Sequence, residues 1–232
     1  MGSFYNVVAY RFHAGLSLTR PRKSICPFCA HSLSFLDLIP ILSYLSLGGR
    51  CRYCKKRISP FYPVVEFISA SLFLLSYLKF GFTYKLLISL LISSFLVIVI
   101  HSDFRYGEID DKVNILFSIL ILIINIITKR YNYLWESLIV FLIIYVFFKI
   151  TSKIYKKDTL GGGDIKLMLF IGLAFGLLNS FLVLFLASLI ALPYGLLMKR
   201  KTGISSIPFG PFILLAAFLI YFYQLDFITL LI

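Results

Sequence analysis

From Val64 onward the chain is a series of long apolar runs separated by short polar stretches. The block from His13 to Tyr62 is different, mixing basic residues, glycines and cysteines with only brief apolar pieces. A bilayer crossing takes about 20 mostly apolar residues in helical form. The runs therefore predict membrane helices over Val64–Phe80, Tyr84–His101, Lys112–Thr128, Tyr133–Ile150, Ile165–Leu178, Phe181–Met198 and Ile207–Leu225. The expected fold is an all-α polytopic membrane protein of about seven transmembrane helices. It divides into a short N-terminal membrane segment (1–12), a cytosolic loop (13–62) and a helical membrane domain (63–232).

Composition agrees. The chain is 60% hydrophobic and 14% charged, whereas soluble domains hold roughly 45–50% apolar residues. The opening "MGSFYNVVAYRFHAG" has no basic leading stretch and no small-residue cleavage site, so no cleavable signal peptide is expected. A net charge of +13 raises the question of nucleic acid. With the polar loop in the cytoplasm, however, only Lys79, Lys85, Lys129 and Arg130 of the 23 Lys and Arg face the other side. That asymmetry is the positive-inside pattern, and it puts Asp103, Asp164 and Lys199–Lys201 on the cytoplasmic face. The basic residues near the loop are better suited to anionic lipid headgroups than to nucleic acid.

All four cysteines fall in this loop, as "CPFC" (Cys26, Cys29) and "CRYC" (Cys51, Cys54). Two CxxC turns separated by an intervening loop match a four-thiolate zinc site, and the reducing cytosol argues against disulfides. Four thiolates leave no open coordination position, so the zinc is expected to be structural. His31 is close enough in sequence to be an alternative ligand, but four sulfurs already suffice.

Acidic residues are scarce, ten in all. Two of them border hydrocarbon: Asp103 at the end of the second long run and Asp164 at the start of the fifth. Two neighbouring carboxylates can share one proton, so that one activates water while the other donates to a scissile carbonyl. The glycines before Asp164, Gly161 and Gly163 among them, would let the backbone unwind and come close to a substrate chain. A Gly-rich loop with Asp164 as helix N-cap explains the same residues without chemistry. A proton-coupled transporter using both aspartates is the alternative function. His101 is expected at a solvated helix end, and Gly172 with Gly176 forms a GxxxG pair suited to close packing within the bundle.

Several stretches in order narrow the choice. "GSFYNVVAYR", "SICPFCAHSL", "DLIPILSYLSLGGRCRYC" and "ISPFYPVVEF" resemble the N-terminal region of type IV prepilin peptidases. "DFRYGEIDDKVN" resembles that family's first aspartate motif, "GGGDIKLM" its GxGD motif and "IPFGPFI" its final segment. The resemblance implies an aspartic endopeptidase of the bacterial inner membrane, cutting short basic leaders from type IV prepilin and pseudopilin precursors on the cytosolic side. It maps the catalytic pair onto Asp103 and Asp164, with Gly161, Gly163, Asp111, Glu66 and Lys166 as substrate or support positions. It also implies methylation of the new N-terminus with S-adenosylmethionine in many relatives, an activity associated with the cysteine-bearing loop. The chain departs from the pattern in two places. Ile109-Asp110-Asp111 stands where relatives read Ile-Pro-Asp, which leaves Asp110 as an extra acid and makes Asp111 the expected helix cap or supporting group. The apolar stretch before Arg11 is also shorter than the first helix of relatives.

Overall fold

The computed structural model describes residues 24–26, 28–156, 161–202 and 207–227. The expected N-terminal membrane segment and the start of the cytosolic loop lie outside the described residues. The described chain is helical, with two isolated β-bridges and no strand. It forms two compact units, Met1–Leu75 and Ser76–Ile232.

The first unit holds a 3-10 turn (Phe35–Leu38), the short helix α1 (Leu42–Ser46) and the start of α2 (Phe61–Phe80). Asp37 ties the turn together: its Oδ2 accepts from the Ser34 backbone N–H at 3.0 Å and from the Ser34 hydroxyl at 2.7 Å. Its other oxygen pairs with Arg52 at 2.7 Å, and this guanidinium holds the Asp37 carboxyl down at about 2. Ile41 has φ 62°, an unfavourable conformation for a β-branched residue. Its N–H donates to Glu66 Oε2 at 2.9 Å, an ionic hydrogen bond from α2 that helps to offset the strain.

The second unit contains α3 (Tyr84–Tyr106), α4 (Asp111–Ile127), α5 (Asn132–Tyr155), α6 (Gly162–Thr202) and α7 (Gly210–Tyr223). Helices α2, α3, α5 and α6 are long and apolar enough to cross a membrane. Of the most apolar window of α3, 78% is buried, against 17% for α5, so α3 is the central helix and α5 turns most of its surface outward. The core forms where Phe95 of α3 stacks on Phe117 of α4 at 4.7 Å and meets Phe170 of α6 edge-on at 5.0 Å.

Helix α6 answers a point the pattern left open. The sequence predicts two spans parted by Asn179–Ser180, and the structure breaks the helix at the single residue Gly176 instead, with φ 76° and ψ −173°. Tyr194 lies 30 residues after Asp164, which along a straight helix is about 45 Å. It nonetheless packs on Phe104, next to Asp103, at 5.9 Å, and on Phe212 at 5.4 Å. The chain therefore folds back at Gly176, three residues before the expected boundary.

The break interrupts the helical hydrogen-bond ladder, and two of the groups beside it are met by side chains from other helices. The Leu173 carbonyl accepts from Asn125 Nδ2 of α4, and the Leu177 N–H donates to Glu136 Oε2 of α5, each at 2.7 Å. In a hydrocarbon surrounding such groups must be satisfied internally. Gly172 takes the other half of the GxxxG role: a Cβ there would lie 2.5 Å from Ser137 Cα, so α5 and α6 approach backbone to backbone.

Candidate active site and metal centre

Asp103 sits in the last turn of α3, where Gly107 (φ 71°) closes the helix by donating to the Asp103 carbonyl at 2.9 Å. Asp164 is the third residue of α6. The two carboxylates come from positions 61 residues apart, yet they line one cavity of about 430 Å³ and interact electrostatically. Both are nearly buried, at 8% and 9% exposure. Each is met by a backbone donor. The Gly210 N–H at the start of α7 serves Asp103, and the Gly161 N–H serves Asp164.

That last contact refines the capping alternative. Asp164 is not the residue before the helix but its third, reaching back to the N–H of the residue before it, which is one half of a capping box. The carboxylate thus satisfies a helix end and faces the cavity at the same time.

The glycines act differently from expectation. Gly161, Gly162 and Gly163 do not adopt left-handed backbone, and α6 already begins at Gly162. What they provide is space. A Cβ on Gly161 would lie 3.0 Å from Asp164 Oδ2, one on Gly163 would lie 3.0 Å from Ile109 Cβ, and one on Gly162 would meet nothing within 4 Å. Gly161, which by sequence distance looks remote from the carboxylate, is in fact the glycine pressed against it.

Of the two acids of "IDD", the extra one takes the capping role and Asp111 is left as the supporting group. Asp110 is the N-cap of α4, its Oδ1 accepting from the Lys112 N–H at 2.7 Å and the Val113 N–H at 3.4 Å. Asp111 instead pairs with Lys166 of α6 at 2.6 Å, with both side chains about half exposed. The pair links the first turn of α4 to the second turn of α6, two residues beyond Asp164. Glu66 lies in the other unit and holds the Ile41 N–H. His101 is 1% exposed rather than solvated, because α3 remains packed through its last turn.

Gly210 and Ile109 are shaping residues that sequence reasoning did not single out. A Cβ on Gly210 would lie 3.1 Å from Asp103 Oδ2 and 2.6 Å from Ile109 Cδ1. The available signal was Gly210-Pro211, a small residue and a helix-opening proline at the head of an apolar run.

In the first unit the four Sγ atoms of Cys26, Cys29, Cys51 and Cys54 all lie within 4.8 Å of one another, with Cys26 and Cys54 at 3.9 Å. Tetrahedral Zn–S bonds of about 2.3 Å require sulfurs roughly 3.8 Å apart, so the set fits one such ion. Two equivalent turns build it. Cys26 N–H donates to the His31 carbonyl at 3.0 Å and Cys51 N–H to the Lys56 carbonyl at 2.9 Å. Ala30 and Lys55, each four residues after the first cysteine, share φ of 54° and 58°. Bridges Ile25–Ser32 and Arg50–Arg57 close the two turns identically. Crowding separates the thiols: burial opposes ionisation of Cys26, but N–H groups of the turn outweigh it and lower it to about 7, while Cys29, despite a hydrogen bond from the His31 backbone, is pushed up to about 11 by partial desolvation and its neighbouring sulfurs. A cation at the centre would remove that conflict.

Comparison with known sequences now decides the class. Residues 1–80 match the Bacterial Peptidase A24 N-terminal domain, and residues 90–196 match the Type IV leader peptidase family. A Prepilin leader peptidase/N-methyltransferase of Bacillus subtilis is 34% identical over 96% of this chain and 90% of its own length. The chain belongs to the type IV leader peptidase family. Proteins of the same name from Vibrio cholerae and Pseudomonas aeruginosa are 30% and 29% identical, over 96% and 94% of this chain and 92% and 85% of theirs. No solved structure matches. The chain is therefore an enzyme of that family, with apolar helices long enough to cross a membrane, rather than the alternative, a proton-coupled transporter.

Proposed function

We propose that this leader peptidase is an aspartic endopeptidase whose catalytic pair is Asp103 and Asp164, acting on type IV prepilin and pseudopilin precursors. The observation that carries the reading is the meeting of two nearly buried carboxylates, from distant parts of the chain, in a single cavity. Like charges that close favour a state with one shared proton. The ionised member takes a proton from a water held between the pair as its oxygen attacks the scissile carbonyl, and the neutral member donates to the carbonyl oxygen. The gem-diol then collapses, breaking the C–N bond as the carboxyl that took the water's proton passes it to the leaving amine and the other carboxylate recovers its own from the gem-diol. The Gly161 and Gly210 N–H groups hold the two carboxylates in place, and Gly161 and Gly210 keep the space around them clear of side chains.

An extended peptide suits this site, since a peptide bond inside a helix is shielded by its own hydrogen bonds. A precursor cut just before its hydrophobic helix offers that extended stretch at membrane depth. The distribution of Lys and Arg supports a cytosolic active site in the bacterial inner membrane. Zinc at the four cysteines would stabilise the first unit, with its coordination filled by thiolates. The relatives' name adds N-methylation, for which S-adenosylmethionine is the donor the resemblance implies.

Co-expression with a candidate prepilin, followed by mass measurement of the product's N-terminus, tests the reading. The expected product lacks its leader, and the mass of one methyl group registers the second activity in the same spectrum. An uncut precursor beside correctly inserted enzyme would overturn the assignment.

A further inference from the structure

The cysteine-bearing unit carries an uncovered apolar surface. Phe35, Leu36, Leu42 and Leu45 are 82%, 61%, 65% and 67% exposed. Phe35 and Leu36 stand on the 3-10 turn, while Leu42 and Leu45, three residues apart, share one face of α1. Four large apolar side chains within one short stretch, uncovered by any described residue, need a partner.

Charge indicates which partner. Arg50, Lys55, Lys56 and Arg57 are all exposed on the second cysteine turn. The antiparallel bridge sets Arg50 opposite Arg57, and like charges so placed repel unless an anion lies between them. No carboxylate of this unit is free to answer. Asp37 and Glu66 are the only acids in the first 75 residues; Asp37 is taken by Arg52 and Glu66 by the Ile41 N–H. The surface also has a fixed depth. Helix α2, membrane-capable over 20 residues, starts at Phe61, four residues after Arg57, and four residues of extended chain reach at most about 14 Å.

We propose that this unit docks on an anionic phospholipid surface, with Phe35, Leu36, Leu42 and Leu45 inserted below the headgroups and Arg50, Lys55, Lys56 and Arg57 held by their phosphates. Amphipathic surfaces of this kind bind through apolar insertion and attraction to anionic lipid together. The unit is then a membrane-oriented platform rather than a freely tumbling loop.

The single tryptophan makes the test direct. Trp135 is the only one in the chain, so Trp135→Phe leaves a silent background in which Phe35→Trp reports the surface. The full-length protein is reconstituted into vesicles of phosphatidylcholine alone or mixed with phosphatidylglycerol, both carrying brominated acyl chains. Blue-shifted emission is expected, with quenching roughly twofold or more stronger in the anionic vesicles. Replacing Arg50, Lys55, Lys56 and Arg57 together by Gln should reduce quenching to the phosphatidylcholine level. Leu45→Trp repeats the measurement from α1, and bound zinc per chain verifies that each variant keeps its fold. Water-like, unquenched emission in both vesicle types overturns the proposal, as does quenching independent of anionic lipid. A blue shift that appears only on adding a prepilin peptide would make the surface a substrate dock and overturn it equally.

Discussion

The two chemistry-bearing regions reach their geometry by different routes. In the cysteine unit, cysteines at most 28 residues apart are brought together by two turns with the same hydrogen bonds, a left-handed residue at the same place and the same closing bridge. In the helical unit, Asp103 and Asp164 depend on the packing of α3, α6 and α7 and on a link, Gly107–Asp110, that shapes the cavity between them. The first arrangement is local and repeated, with few buried residues, and its four sulfurs could hold a metal ion. The second is held by a broad apolar core. A local site should tolerate changes elsewhere and fail with its ligands. A packed site should respond to a single methyl group placed at a helix contact.

The largest expected effect separates the dyad from its acidic neighbours. Asp103→Asn and Asp164→Asn should each lower leader cleavage by at least ~10²-fold, since general acid–base groups contribute on that scale. Asp110→Asn and Asp111→Asn should keep most of the activity, because Asn still caps α4 and the Asp111–Lys166 pair is half exposed. Cleavage assays on matched amounts of inserted protein decide this; a near-normal rate in either dyad variant would break the assignment.

Next come the three glycines, whose order now follows from contacts rather than from sequence distance. Gly163→Val should reduce cleavage severely by driving against Ile109, and Gly161→Ala should reduce it several-fold by pressing on the Asp164 carboxylate. Gly162→Ala should be close to wild type, since its Cβ would meet nothing. Equal rates for all three would mean that the segment is only a linker.

The metal side of the contrast is tested by a Cys26→Ser, Cys29→Ser double variant. Metal analysis should find about one zinc per chain in the parent protein and none in the variant. Cleavage should fall far less than zinc content, because the aspartates belong to the other compact unit. Retained stoichiometric zinc would exclude the four-thiolate site.

The smallest effect probes the fold-back at Gly176. Glu136→Gln keeps an oxygen for the Leu177 N–H and should leave thermal stability in detergent nearly unchanged. Glu136→Ala removes the acceptor and should cost about 1–3 kcal/mol, the penalty for an unsatisfied group shielded from water. If both variants melt alike, the carboxylate is not what holds the break.

Sequence by itself was enough for the features that repeat or accumulate locally. The membrane class follows from runs of apolar residues, because each helix must satisfy its own backbone in lipid. The cysteine cluster follows from two CxxC turns, because ligand spacing and turn geometry are set within a few residues. Asp103 and Asp164 stood out because acids bordering hydrocarbon are costly and the chain has few of them. Tertiary structure alone decided which neighbours those acids have. Nothing near Asp110 in sequence distinguishes it from Asp111, and only the path of the chain into α4 makes one a cap and the other a partner for Lys166. Likewise Gly176 reads as half of a packing motif, and becomes a reversal of the chain whose broken ends are met by a donor, Asn125, and an acceptor, Glu136, from two other helices. Contacts of that kind depend on where separate helices come to lie against one another, which no local pattern records.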